Sequence, residues 1–117
     1  MVKIYGIPNC DSVKKAMSWL QKNKIPFVFH DFKKEEISRS KINEWLAVHP
    51  LEMVFNKRST AWKALSPEEQ DRSATKAGAI QLMIQYNNLI KRPVAEISGT
   101  ILIGFSDTSY KKAFQLS

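Results

Sequence analysis

Cys10 is the only cysteine in the chain and lies within Tyr5-Gly6-Ile7-Pro8-Asn9-Cys10-Asp11-Ser12-Val13-Lys14-Lys15-Ala16, between a strand-like segment and a helical pattern. A thiol at a helix start has its charged form favoured by unpaired backbone N–H groups and by the positive end of the helix dipole. Lys14 and Lys15 add to that effect and Asp11 opposes it, so the expectation is a moderately activated nucleophile. The other common fate of a free cysteine is that of a small buried hydrophobe. A dithiol enzyme resolves its own mixed disulfide with a second cysteine, often three residues on, but that position is Val13. The second thiol must be borrowed. Glutathione, an anionic tripeptide drawn to a basic groove, is the natural donor, as a co-substrate and not a bound cofactor.

Two further segments carry candidate chemistry. Arg92-Pro93 stands just ahead of an apolar run, where a cis peptide bond is plausible because such bonds are essentially confined to X-Pro. Arg92 offers a planar fork of donors for a carboxylate or oxyanion, and its charge favours a nearby thiolate. A trans proline on an edge strand with a solvated arginine is the alternative. Asn56-Lys57-Arg58-Ser59-Thr60 is a polar, basic patch before the helix-like Ala61-Trp62-Lys63-Ala64-Leu65. Donors at a helix start suit an anion, while a solvated turn is the plainer reading.

The elements that must position these residues follow from pattern. Val2-Lys3-Ile4-Tyr5 alternates as a strand, and Gly6-Ile7-Pro8-Asn9 is a loop aimed at Cys10. Val13, Ala16, Met17 and Leu20 recur at helical spacing, up to Asn23-Lys24 before Pro26. Phe27 to Phe32 reads as a second, well buried strand, completing a βαβ unit. Ile42, Trp45, Leu46 and His49 form one apolar stripe after a Ser38 or Ser40 cap, closed by Pro50. Ser66-Pro67-Glu68-Glu69 is a capping box with proline at the first helical position. A helix from about Thr75 carries Ala77, Ile80, Met83 and Ile84 on one side and stops at Asn87-Asn88. Val94–Ile97 and Thr100–Ile103, joined by Ser98-Gly99, predict an antiparallel hairpin. Asp107 is placed to cap a last helix with Tyr110, Ala113 and Phe114. The order βαβ, helices, ββα is that of an α/β, thioredoxin-like fold with a mixed four-stranded sheet and a helical insertion, read as one domain over residues 1–117.

Composition narrows the class. With 117 residues, 44% hydrophobic and 25% charged, the chain has room for one real core, and disordered and fibrous classes drop out. No apolar run approaches a bilayer span and no signal peptide opens the chain, so a cytoplasmic protein without a membrane partner is expected. One cysteine and two histidines, His30 and His49, exclude a stapled scaffold and make a metal site unexpected. The net charge of +7 attracts anionic partners. The lysines are spread rather than blocked, which fits a solubilising surface better than direct nucleic-acid binding, and the absence of a large apolar stripe predicts a monomer.

Taken together, Tyr5 to Ala16, Asn56 to Leu65 and Leu89-Ile90-Lys91-Arg92-Pro93-Val94 closely resemble the arsenate-reductase-like (ArsC/Spx) family, nearest its YffB branch, over Val2 to Phe114. The resemblance implies a thioredoxin-like fold, a catalytic thiol at Cys10, an active-site arginine at Arg92 and a cis-proline at Pro93. It also implies a glutathione-dependent thiol reductase acting on a disulfide or oxyanion substrate. Asn9, Asn56, Arg58 and Pro93 are then the candidate substrate- or glutathione-binding residues, beside Cys10 and Arg92 as the catalytic pair. Glutathione-coupled arsenate reductases of the family hold the oxyanion with three arginines. Here the last position falls at Gly104-Phe105 and the first at Asn56, with Arg58 two residues away. Losing one charged partner costs about 1.5–3 kcal/mol, roughly tenfold to a hundredfold in affinity, which implies weak arsenate reduction. Spx-type regulators bind RNA polymerase and often carry a Cys-x-x-Cys switch. Val13 removes that switch here, leaving a polymerase-binding module without redox switching as the alternative.

Overall fold

A computed structural model describes residues 1–115. In chain order the elements are β1 (Val2–Gly6), α1 (Asp11–Lys22), β2 (Phe27–Asp31), α2 (Arg39–Leu46), α3 (Leu51–Val54), α4 (Thr60–Lys63), α5 (Pro67–Arg72), α6 (Lys76–Gln85), a 3-10 turn at Asn87–Leu89, β3 (Val94–Ile97), β4 (Thr100–Ile103) and α7 (Asp107–Ala113). Two compact units divide them: Met1–Glu35 together with the chain from Arg92 onward, and Glu36–Lys91.

The first unit is a four-stranded mixed sheet in the order β2-β1-β3-β4 with α1 and α7. β1 runs parallel to β2, from Val2 opposite Phe27 to Gly6 opposite Asp31, and antiparallel to β3, with Tyr5 opposite Val94. The hairpin of β3 and β4 turns at Gly99, whose φ of 83° favours a residue without a Cβ. Val2, Ile4, Ala16, Trp19, Leu20, Ala95, Ile97 and Tyr110 form its buried cluster. On α1 the spacing 13, 16, 20 is buried as expected, with Trp19 joining the inner face and Met17 only half-buried.

Three expectations for this unit need correction. β2 is not well buried: it is a sheet edge, with Phe27 and Phe29 packed on the core and Val28 48% exposed between them. An apolar run signals burial on both faces only when the strand is central. The cap of α7 is Ser106, whose Oγ accepts from Ser109 N–H at 3.0 Å. Asp107 is the first helical residue instead, and its carboxylate accepts from Trp19 Nε1 at 2.7 Å and pairs with Lys111 at 3.2 Å. Hydrogen bonding from Trp19, and then from Lys111, holds the Asp107 carboxyl below the usual carboxylate value. Its folded value lies below its unfolded one, so the contribution is complete above about pH 4 and is lost as the pH falls through the folded value. Acid titration of the urea midpoint should therefore be flatter for Asp107→Asn below about pH 4. An unchanged acid limb would place the acid sensitivity elsewhere.

Tyr110 packs edge-on against Trp19, with ring centroids 5.4 Å apart, and against Phe105 at 4.8 Å. It is fully buried, and its hydroxyl has no hydrogen-bond partner among the described residues. Burial pushes its phenol well above the ordinary tyrosine value. A buried hydroxyl without a partner carries an uncompensated desolvation cost, so Tyr110→Phe should raise stability by about 1 kcal/mol in urea denaturation at neutral pH. A loss of similar size would mean the hydroxyl is solvated.

The second unit is helical. Ser38, Ser59, Ser66 and Thr75 cap α2, α4, α5 and α6, and the Ser66/Glu69 capping box is complete. Glu69 also accepts from the Tyr86 hydroxyl at 2.7 Å, which lowers the carboxyl and raises the phenol. α2 ends at Leu46, so the expected stripe does not continue as one helix to His49, and Pro50 caps α3. On α6 the buried face is Ala79, Ile80, Leu82 and Met83. Ala77 is exposed and Ile84 half-buried, because the inner stripe is rotated from the one read at 77, 80, 83 and 84.

Candidate active site

Cys10 is the N-cap of α1, extended in backbone (φ −130°, ψ 126°) and half-buried. Its thiol makes no capping hydrogen bond. The first intrahelical bond is Lys14 N–H to Cys10 C=O at 2.9 Å, so the N–H groups of Asp11, Ser12 and Val13 stand outside the helical ladder beside the sulfur. The preceding loop is tightly drawn. A Cβ at Gly6 would lie 2.6 Å from Val13 Cγ2, so glycine is what lets the end of β1 pass this close to the first turn of α1. Asn9, one residue before the thiol, is exposed.

Pro93 immediately precedes Val94, the partner of Tyr5, and so enters β3 at the end of β1 from which the loop to Cys10 departs. The Arg92–Pro93 peptide bond is cis. Arg92 is half-buried, with a buried Nε. Gly104 N–H donates to Pro93 C=O at 2.8 Å, so the position at which the family's third arginine was expected is a glycine tied by its backbone to Pro93. The first unit thus carries Asn9, Cys10, Arg92 and Pro93. What they provide chemically is one accessible sulfur at a helix start and one guanidinium at the mouth of a neighbouring strand.

Asn56 and Arg58 belong to the second unit. Asn56 Oδ1 accepts from Arg58 N–H at 3.0 Å and its carbonyl from Ser59 Oγ at 2.8 Å, so this side chain is spent on shaping a turn. A single antiparallel bridge, Phe55 to Ile90, is extended by Asn56 N–H to Leu89 C=O at 2.7 Å and Lys91 N–H to Val54 C=O at 2.8 Å. That pairing brings Lys91 beside the turn, where a cleft of about 500 Å³ is lined by Lys57, Arg58 and Lys91 together with Glu52. Lys57 and Lys91 were missed as site residues by sequence reasoning. Their meeting depends on one isolated bridge between segments about 35 residues apart, which leaves no periodic signal. Among the described residues no group of histidine, cysteine and carboxylate side chains suits a metal ion.

A parallel βαβ unit followed by an antiparallel hairpin, with a cysteine opening the first helix and a proline opening the third strand, defines the thioredoxin-like class. The chain belongs to the ArsC family, whose model matches residues 5–113. It is 35% identical to an uncharacterized protein of Haemophilus influenzae, over 97% of this chain and 99% of that one. It is 27% identical to the global transcriptional regulator Spx of Streptococcus pneumoniae, over 92% of this chain and 80% of the regulator. The solved structure of a YffB protein superposes with a TM-score of 0.92 at 36% identity, covering 97% and 98% of the two chains.

Proposed function

We propose that this protein is a thiol/disulfide reductase working through the single sulfur of Cys10, with glutathione as co-substrate and the cytoplasm as its compartment. The observation that supports it most is the half-buried, uncapped thiol at the start of a 12-residue helix whose first N–H groups are free to face it. The Cys10 thiolate attacks one sulfur of a disulfide R–S–S–R′. A Cys10–S–S–R bond forms, the S–S bond breaks, and R′–S⁻ leaves and takes a proton. A glutathione thiolate then attacks the R sulfur, forming a glutathione–S–S–R disulfide and returning the electron pair to Cys10. Arg92 stabilises the thiolate and an anionic substrate group, and Pro93 shapes the groove. An oxyanion substrate is held less well, because Gly104 stands where a third arginine would clamp it.

Mass spectrometry after incubation with oxidised glutathione tests this. One adduct on Cys10, reversed by free glutathione and slowed in Arg92→Ala, is the expected result. No adduct in the wild-type protein sinks the proposal. The similarity to Spx favours a second reading, a monomeric module that binds RNA polymerase with its thiol unused. Alkylation by iodoacetamide separates the two: labelling at neutral pH well above that of a model thiol favours the reductase, and labelling at the model rate favours the module.

A further inference from the structure

The cleft of the helical unit has a charge pattern of its own. Lys57, Arg58 and Lys91 line it against one carboxylate, Glu52, and all four side chains are exposed. None of the four is ion-paired with a described residue. Lys57 Nζ sits 5.2 Å from the centroid of the Trp62 ring, which orders that ammonium without neutralising it. Leu51 and Phe55 supply apolar lining. Like charges converge here although the backbone bridge would hold with neutral side chains at 57 and 91, since the bonds that bring them together are main-chain ones.

Size and sign together define the occupant. A volume of about 500 Å³ lies in the range of small-molecule sites and is far larger than an inorganic oxyanion requires. Three cations against one carboxylate ask for a ligand with more than one negative group. The lone Glu52 would repel a simple polyanion but complements an ammonium on the same ligand. We propose that this cleft binds a small peptide-like anion bearing two carboxylates and one amino group. Lys57, Arg58 and Lys91 take the carboxylates, Glu52 takes the amino group, and the carbon skeleton lies on Leu51 and Phe55. Naming glutathione as that ligand rests on the reductase reading above; the chemistry of the cleft does not.

S-methylglutathione, which keeps both carboxylates and the amino group but has no reactive thiol, is the probe. Titration calorimetry on the full chain should show binding that weakens as salt is raised. Lys57→Ala and Lys91→Ala should each lower affinity at least fivefold and Lys91→Glu more, with far-UV circular dichroism unchanged. Glu52→Gln should weaken S-methylglutathione yet leave the N-acetylated probe, which lacks the amino charge, as tight or tighter. Cys10→Ser should bind within twofold of wild type. No binding at millimolar probe, equal binding by the Lys57/Lys91 double variant, or a Glu52→Gln loss that is the same for both probes would overturn the proposal. The two proposals fail separately: a Cys10 adduct without probe binding removes only the cleft, and probe binding without an adduct removes only the thiol chemistry.

Discussion

Cys10→Ser should reduce glutathione-dependent reduction of a small mixed disulfide by about a thousandfold or more, roughly 4 kcal/mol in barrier. A hydroxyl is not ionised at neutral pH and cannot form the S–S bond on which the exchange depends. The same substitution should leave the fold intact and raise its melting temperature slightly. Serine is a preferred N-cap, and the cysteine it replaces makes no capping bond, so a new bond to the first turn of α1 is worth about 0.5–1 kcal/mol. The two readouts are expected to move in opposite directions. A packing role for the sulfur would instead lower stability, and retained activity would exclude Cys10 as the nucleophile. Arg92→Ala belongs to the same series, with a smaller loss of about tenfold to a hundredfold, the usual effect of removing one charge-assisted contact.

The largest stability effect is expected at a glycine remote in sequence from the thiol. Gly78 lies in the first turn of α6, where a Cβ would overlap the carbonyl oxygen of Arg72 and come within 2.9 Å of Thr75 Oγ1. In an open helix, alanine would be favoured over glycine by about 1 kcal/mol. Here the obstacle is the backbone at the end of α5, and Thr75 Oγ1 already accepts from Gly78 N–H at 3.0 Å as the cap of α6. Moving either opens the junction between the two helices. Gly78→Ala should therefore destabilise by about 2–3 kcal/mol net, lowering the melting temperature by roughly 8–12 °C. Thermal unfolding of the variant beside Ala77→Gly, an exposed neighbour on the same helix, separates the clash from helix propensity. If Gly78→Ala melts at or above the wild-type temperature, the close approach of α5 and α6 is wrong.

Much of the architecture was readable from local signals. The period-2 segments at 2–5, 94–97 and 100–103, the helical spacing at 13, 16 and 20, the capping box at Ser66 and the turn at Gly99 each report a short-range preference that the fold keeps. Where the reading went astray, the deciding contact lay elsewhere in the chain. Phe27-Val28-Phe29 looked like a central strand because hydrophobicity does not record how many neighbours a strand has. Asp107 looked like a cap, but the indole of Trp19, 88 positions away, claimed its carboxylate while Ser106 took the helix end. The inner face of α6 was misread because amphipathic spacing fixes a stripe only where one side of a helix is wet.

By itself the sequence determined the order of elements, the lone cysteine at the first helix and the charge that favours an anionic ligand, since all of these are carried by residue type and near-neighbour spacing. Tertiary structure alone decided that β2 is an edge, that Gly104 is tied by its backbone to Pro93, and that Lys91 meets Lys57 and Arg58 around one cleft. Those placements come from backbone pairing between distant segments, which depends on main-chain hydrogen bonds that every residue but proline offers alike, and so leaves no mark in the amino-acid pattern.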